Sequence, residues 1–318
     1  MQIKRYFSGS AAPAALTIGN FDGVHLGHQA MLTRTVEVAG ARGLSPCALT
    51  FEPHPREFFA PDQAPTRLTT LREKLELLES RGISRTQVCR FDYRFAQIAA
   101  AEFIERIVVR GLNARWVLVG EDFRFGARRA GDLTLLRQAG ARHGFEVEVQ
   151  PMITANGVRV SSTAVREALA AGDTARAQRL LGRPYSISGR VVHNDKFGRK
   201  LGFPTANILM KHNRPPVWGI YAVEVSGAGD RPWPGVASLG VRPTVRREAR
   251  AVLEVHLLDF DREIYGAHLR VDFLHKFRDE EKYADVETLR RQIARDVENT
   301  RDYFHRRDAE TQRTAQNS

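Results

Sequence analysis

A chain of 318 residues is long enough for two domains of ordinary size, each with its own core. Its composition, 42 % hydrophobic and 27 % charged, is that of a globular protein, and no apolar run approaches the ~20 residues that cross a bilayer, which excludes an integral helical membrane protein. The net charge of +11 invites a polyanionic partner, but residues 1–182 carry 24 basic and 18 acidic side chains and residues 183–318 carry 24 and 19, so no basic tail exists and nucleic acid is not the expected partner.

In chain order, the N-terminal stretch MQIKRYFSGSAAPAALTIG has no apolar core of secretory-signal length, and the two cysteines, Cys47 and Cys89, form no ligand spacing. A reducing, cytoplasmic setting follows as the expectation. Short apolar runs then alternate with helical stripes. Strands are expected at residues 14–19, 45–51, 86–91, 114–120 and 145–150. Helices are expected between them, carried by Leu68, Leu71, Leu75 and Leu78 and by the stripe of residues 100–112, with Gly82, Gly111 and Gly144 as stops. Such alternation predicts an α/β fold with a doubly wound parallel sheet, in which ligands bind at the carboxyl ends of strands.

After Gly182 and Pro184 the rhythm changes to period-2 strands at residues 186–193, 218–226, 235–240, 251–258 and 268–277, joined by Gly/Pro-rich turns. A small antiparallel β-barrel is the expected solution. One amphipathic helix with a stripe of Val286, Leu289, Ile293, Val297 and Phe304 closes the chain, and residues 309–318 are expected to form a disordered tail. The expected organisation is therefore a domain over 1–182, a second over 183–308 and the tail.

The most informative stretch is GNFDGVHLGH, residues 19–28, which places His25 and His28 between a strand and a helix. A helix N-terminus with glycines beside it suits a phosphate, and two imidazoles three apart share a side. Spacing alone leaves phosphate contact, a structural role and metal ligation open. SSTAVR, residues 161–166, brings Ser161, Ser162, Thr163 and Arg166 to a second helix start, where they suit an anion or an ordinary cap. FRFG sets Arg124 between aromatic residues, and PHP holds His54 in a stiff turn.

These motifs, with TFEPHP (50–55) and VGEDFRFG (119–126), resemble the bifunctional riboflavin kinase/FAD synthetase family of bacteria, whose first module transfers AMP from ATP to FMN. The resemblance implies that Gly19, Asn20, Phe21, Asp22 and Gly23 form the nucleotide-facing turn. By the same resemblance His25, His28 and Arg166 compensate phosphate charge, and His54, Asp122, Phe123 and Arg124 lie with the flavin. Because the FMN phosphate is already ionised, that transfer needs positioning rather than a strong base.

The second module is marked by GRKLGFPTAN, residues 198–207, and LEVHLLDF, residues 253–260. Thr205 and Asn207 lie two apart on an extended segment and share a side, as hard oxygen ligands or as a turn device. Glu254 and His256 share one strand face, and Leu253, Val255 and Leu257 the other. The same resemblance implies that Glu254, read as lying inside the barrel, is the base that accepts the ribityl hydroxyl proton. It also implies that Gly198 and Gly202 belong to the nucleotide loop and that Thr205 and Asn207 hold Mg²⁺. ATP is the co-substrate, FMN and FAD are products, and no obligatory protein partner is expected. Asn194 departs from the glycine usual in the family.

Overall fold

The computed structural model describes residues 1–5, 12–193, 198, 201–210, 214–242 and 250–316; Asn194 lies outside them. By packing, the chain forms two units, Met1–Pro65 with Thr69–Ser162 and Thr66–Leu68 with Thr163–Ser318.

The first unit is built on six parallel strands: β1 (Gln2–Lys4), β2 (Ala14–Ile18), β3 (Ser45–Glu52), β4 (Arg85–Arg90), β5 (Ala114–Gly120) and β6 (Glu146–Gln150), in the order β1-β4-β3-β2-β5-β6. Every residue of β2 is buried, the pattern of a strand covered on both faces. From β2 the chain proceeds outward through β3 and β4, then returns to the other side of β2 for β5 and β6. The strand order thus reverses between β2 and β5, and the turns after those two strands emerge together at the switch point, where open α/β sheets bind ligands. The short edge strand β1 was not expected from its QIK sequence.

Helices α1 (Leu26–Arg42), α2 (Pro55–Phe59), α3 (Leu71–Ser80), α4 (Tyr93–Ala96), α5 (Ala100–Glu102) and α6 (Leu133–His143) fill the connections. The segment after α5 is wound as a π-helix over Phe103–Gly111, and β7 (Thr154–Ala155) and β8 (Val158–Arg159) form a small ribbon. The start of α3 is a capping box: Thr70 Oγ1 accepts the Glu73 N–H at 3.2 Å and Glu73 Oε2 accepts the Thr70 N–H at 2.7 Å. Leu68 therefore precedes the helix; of the expected leucine stripe Leu78 is buried and Leu71 and Leu75 are half-buried, and α3 also buries Lys74.

In the second unit α7 (Ser162–Ala170) and α8 (Thr174–Leu181) precede the barrel strands β9 (Tyr185–Val192), β10 (Ala206–Leu209), β11 (Gly219–Ser226), β12 (Trp233–Arg242), β13 (Arg250–Leu257) and β14 (His268–Arg278). Thr174 Oγ1 donates to the Leu274 carbonyl at 2.8 Å, and α8 buries Ala177, Leu180 and Leu181, so it packs with the barrel although the expected division fell after it. The strands close antiparallel in the order β10-β13-β12-β11-β14-β9, with β9 returning to β10. Tyr221, Val223, Leu239, Leu253, Val255 and Phe273 are among the residues that fill the interior. Strand β10, absent from the five expected strands, is the one that completes the closure.

The last helix, α9 (Val286–Gln316), corrects the reading of residues 309–318 as a disordered tail: the chain is helical as far as Gln316. DAETQRTAQ contains neither glycine nor proline and is rich in good helix formers. The fully buried side chains of α9 are polar, Asp296 and Thr300, while Leu289, Ile293, Val297 and Phe304 are half-buried and Val286 is exposed.

Candidate active sites

The turn after β2 places its backbone in a sparsely populated region: φ is 49° at Phe21, 80° at Gly23 and 43° at Val24. A β-branched residue holds such a φ only when its surroundings dictate it. Here they do. Asp22 Oδ1 accepts from the Thr69 N–H at 3.0 Å and the Thr69 hydroxyl at 3.1 Å, the Gly23 N–H donates back to Thr69 Oγ1 at 3.1 Å, and Gln29 Nε2 donates to the Val24 carbonyl at 2.8 Å. Ser162 Oγ adds a bond to the Asp22 carbonyl at 2.9 Å.

Phe21 is fully buried in a cluster with Val24, Leu32, Ala48, Leu78 and Ile83, and Asp22 is buried against Thr69, so both side chains brace the turn from beneath. Gly19 leaves room for the Phe21 ring, since a Cβ there would come within 3.2 Å of it. Asn20 keeps a half-buried side chain whose Oδ1 has no hydrogen-bond partner.

His25 caps α1, its Nδ1 accepting the His28 N–H at 3.3 Å, so the neutral ring carries its proton on Nε2. The two imidazoles stack, with centroids 3.7 Å apart and planes 15° from parallel, and Phe21 meets the His28 ring edge-on at 5.2 Å. A Cβ at Gly27 would lie 3.2 Å from the His25 ring, which explains the glycine in HLGH. Burial, then the charges of His25 and Lys74, hold the His28 imidazole well below its ordinary pKa of 6.5. Its Nδ1 has no partner. A stacked pair in which His28 resists protonation alone becomes a good host for an anion, whose charge favours the protonated ring.

The remaining expected residues are more dispersed. Ser161 is half-buried, Thr163 is exposed, and Arg166 belongs to the second unit, where its Nε donates to the Thr66 carbonyl at 2.6 Å. His54 caps α2: its Nδ1 accepts the Arg56 N–H at 3.1 Å and its own N–H donates to Glu57 at 3.2 Å. Asp122 pairs with Arg159 at 3.2 Å, Arg124 lies 3.5 Å from Asp132, and Phe123 stacks on Phe125. Sequence reasoning missed an aromatic group beyond β3 and β4: Phe58, Phe59 and Phe91 meet edge-to-face at 5.3–5.6 Å, and Phe59 is 67 % exposed. The repeated phenylalanines of REFF and RF were the available signal.

In the barrel, Leu253, Val255 and Leu257 are the interior face, so Glu254 lies on the outer face of β13; this corrects the reading of a glutamate inside the barrel. Periodicity defines two faces without saying which is enclosed. Glu254 stands abreast of Asn207 on β10 and of Ser238 on β12, and Thr205, Ser238, Glu254 and His256 line one cavity of about 360 Å³. Leu289, Ile293 and Asp296 of α9 form its other wall. His256 Nδ1 lies 2.7 Å from the Pro204 carbonyl, fixing the segment before β10. Gly198 is required by close approach, since a Cβ would collide with the Phe203 carbonyl, and Gly202 is left-handed at φ 88°. The far wall is held by a buried ion pair, Arg278 to Asp296, at 3.1 and 2.6 Å. Glu280 accepts from Ser238 Oγ at 2.8 Å.

A parallel sheet with a strained turn and stacked imidazoles at its switch point is thus followed by a closed barrel with a glutamate-lined cavity, the layout of a two-module protein with two separate sites for small ligands. Residues 8–164 match the FAD synthetase family and residues 181–304 the riboflavin kinase family. The chain is 50 % identical over 289 residues to the bifunctional riboflavin kinase/FMN adenylyltransferase of Escherichia coli K12, covering 91 % of this chain and 92 % of that protein. To the enzymes of the same name from Pseudomonas fluorescens and Haemophilus influenzae it is 48 % identical (88 % and 90 % covered) and 44 % identical (92 % and 94 % covered). A solved structure titled as a macrolide-efflux protein from Streptococcus pneumoniae is similar with a TM-score of 0.81 and 27 % identity, covering 95 % of this chain and 99 % of that one. Among the described residues of the present chain no helix is long and apolar enough to cross a membrane. The chain belongs to the bifunctional riboflavin kinase/FMN adenylyltransferase family: it phosphorylates riboflavin to FMN and adenylylates FMN to FAD, using ATP in both steps.

Proposed function

We propose that the two reactions are divided between the sites by the state in which each nucleophile arrives. The observation that carries this reading is the pair of local chemistries: a carboxylate abreast of an amide and a hydroxyl on the barrel, and two stacked imidazoles at a helix start beside the sheet. Riboflavin presents an alcohol. Glu254 accepts the proton of its ribityl 5′-hydroxyl as that oxygen attacks the γ-phosphorus of ATP, and ADP leaves.

FMN presents a phosphate oxygen that is already anionic. It attacks the α-phosphorus of a second ATP, and pyrophosphate leaves. His25 through Nε2–H and His28 through its ring hold the α- and β-phosphate oxygens, while Ser161, Ser162, Thr163 and Arg166 are assigned to the pyrophosphate side on the motif they share with the family. Gly19, Asn20 and Gly23 bound the nucleotide. Asp122, Phe123, Arg124 and His54 frame the flavin end, for which the exposed Phe59 ring supplies an aromatic face.

Mg²⁺ fits the barrel cavity as a partner of nucleotide phosphates. Thr205 lines the cavity and Asn207 stands beside Glu254 on the neighbouring strand; their hydroxyl and amide oxygens are hard neutral donors, and among the described residues no group of three His, Cys, Asp or Glu side chains converges into a dedicated metal cage. When bound there, the ion draws charge from the phosphate oxygens. We place both reactions in the cytoplasm, with riboflavin, FMN and ATP as the partners. Incubating the protein with riboflavin, ATP and Mg²⁺ and separating the flavins by chromatography tests the reading. FMN followed by FAD is expected, and a chain that produced neither would refute it.

A further inference from the structure

The helix α3 turns a lysine toward the core where a leucine would be cheaper. Lys74 is only 4 % exposed, and Leu78, one turn on, is the other side chain that this helix buries. Enclosing an ammonium is unfavourable unless its charge and donors are used. Its Nζ lies 3.4 Å from Thr50 Oγ1, and that fully buried hydroxyl donates to the Asn20 carbonyl at 3.1 Å. A relay therefore runs from α3, through the carboxyl end of β3, to the turn that follows β2. At the same turn two buried polar atoms, Asn20 Oδ1 and His28 Nδ1, have no partner among the described residues.

We propose that Lys74 is a positioning residue of the adenylyl-transfer site: its buried ammonium fixes the Asn20 turn through Thr50 and supplies a permanent positive charge beside the histidine stack that receives the nucleoside triphosphate. The proposal rests on the assignment of adenylyl transfer to this turn. A lysine in this place acts twice. It holds the peptide of Asn20 so that the side-chain amide stays aimed at the ligand, and it keeps His28 neutral until phosphate charge arrives. The charges that act on His28 are those of His25 and Lys74, and both disfavour its protonation.

The test uses the full-length chain, with circular dichroism and thermal unfolding establishing that the first unit folds and riboflavin kinase turnover reporting on the second. Lys74→Met is expected to lower kcat for FMN adenylylation by ~10²-fold, the scale of a small misplacement at a reacting centre. The KM for ATP should change less, and kinase turnover should stay at the parental level. The His28 ring titration, followed by NMR in the absence of substrate, should move to higher pH because a neighbouring positive charge has been removed. Thr50→Val, which breaks the relay with little change of volume, should reproduce part of the kcat loss without moving the titration, and it remains available if Lys74→Met does not fold. Normal adenylylation in both variants would overturn the proposal, as would a loss in Lys74→Met with an unmoved His28 titration. His28→Ala, measured in parallel, separates the two readings: if it leaves FAD formation intact, the site assignment itself fails.

Discussion

The two units answer the same problem, transfer of part of ATP, with opposite materials. On the parallel sheet the proposed site is a strained turn and a helix start, where His25 caps α1 and His28 stacks upon it. On the barrel it is a flat ladder, with Asn207, Glu254 and Ser238 side by side on three strands under the wall formed by α9. An ionised phosphate nucleophile asks for fixed positive and donor groups, and a turn at a helix N-terminus concentrates them. An alcohol asks for a base, and a strand face holds a carboxylate at constant height beside its neighbours.

That contrast is broken most easily at Glu254. Glu254→Gln is expected to lower FMN formation by ~10²–10⁴-fold, the range of general-base catalysis, while FAD formation from supplied FMN continues; steady-state assays with each flavin check both halves. His28→Ala should do the reverse, lowering FAD formation by ~10²–10³-fold, the range for loss of one charge-stabilising donor, with kinase turnover retained.

A third prediction concerns the wall that only the barrel site possesses. Asp296→Ala leaves the half-buried Arg278 guanidinium without its carboxylate partner and should destabilise the second unit by ~1–3 kcal/mol, read as a lower midpoint in thermal unfolding followed through kinase activity. Gly27→Ala is milder: its Cβ presses the His25 ring, so adenylylation should fall by the equivalent of ~1 kcal/mol with no change in kinase rate.

The smallest expected effect is a proton balance. His28 is held below its ordinary pKa in the free protein, and phosphate charge raises it. Nucleotide binding at this site should therefore take up a fraction of a proton, growing as pH falls below about 6.5 toward the depressed value. Calorimetry in buffers of different ionisation enthalpy measures the uptake, and His28→Ala should abolish it.

Much of this was legible in residues 14–150 and 185–278, because buried parallel strands read as apolar runs and barrel strands as alternation. The motifs were legible too, since glycines and histidines at fixed spacing have few other uses in a strand-to-helix turn. What escaped had a common cause: a sequence pattern does not say which side of an element is enclosed. Phe21 and Asp22 lie beneath the turn, Glu254 lies on the outer face of the barrel, and Lys74 is buried although it stands outside the leucine stripe. β1 and β10 are short and take their strand character from a neighbour. The continuation of α9 to Gln316 was hidden by its polarity.

The central claim, that a base serves one site and a cationic clamp the other within one chain, is tested most directly by complementation. Glu254→Gln and His28→Ala chains are supplied with riboflavin, ATP and Mg²⁺, alone and as an equimolar mixture, and the flavins are separated over time. The account predicts no FMN or FAD from the first, FMN without FAD from the second, and FAD after a lag from the mixture. Rapid FMN formation by Glu254→Gln alone, or rapid FAD formation by His28→Ala alone, would contradict it.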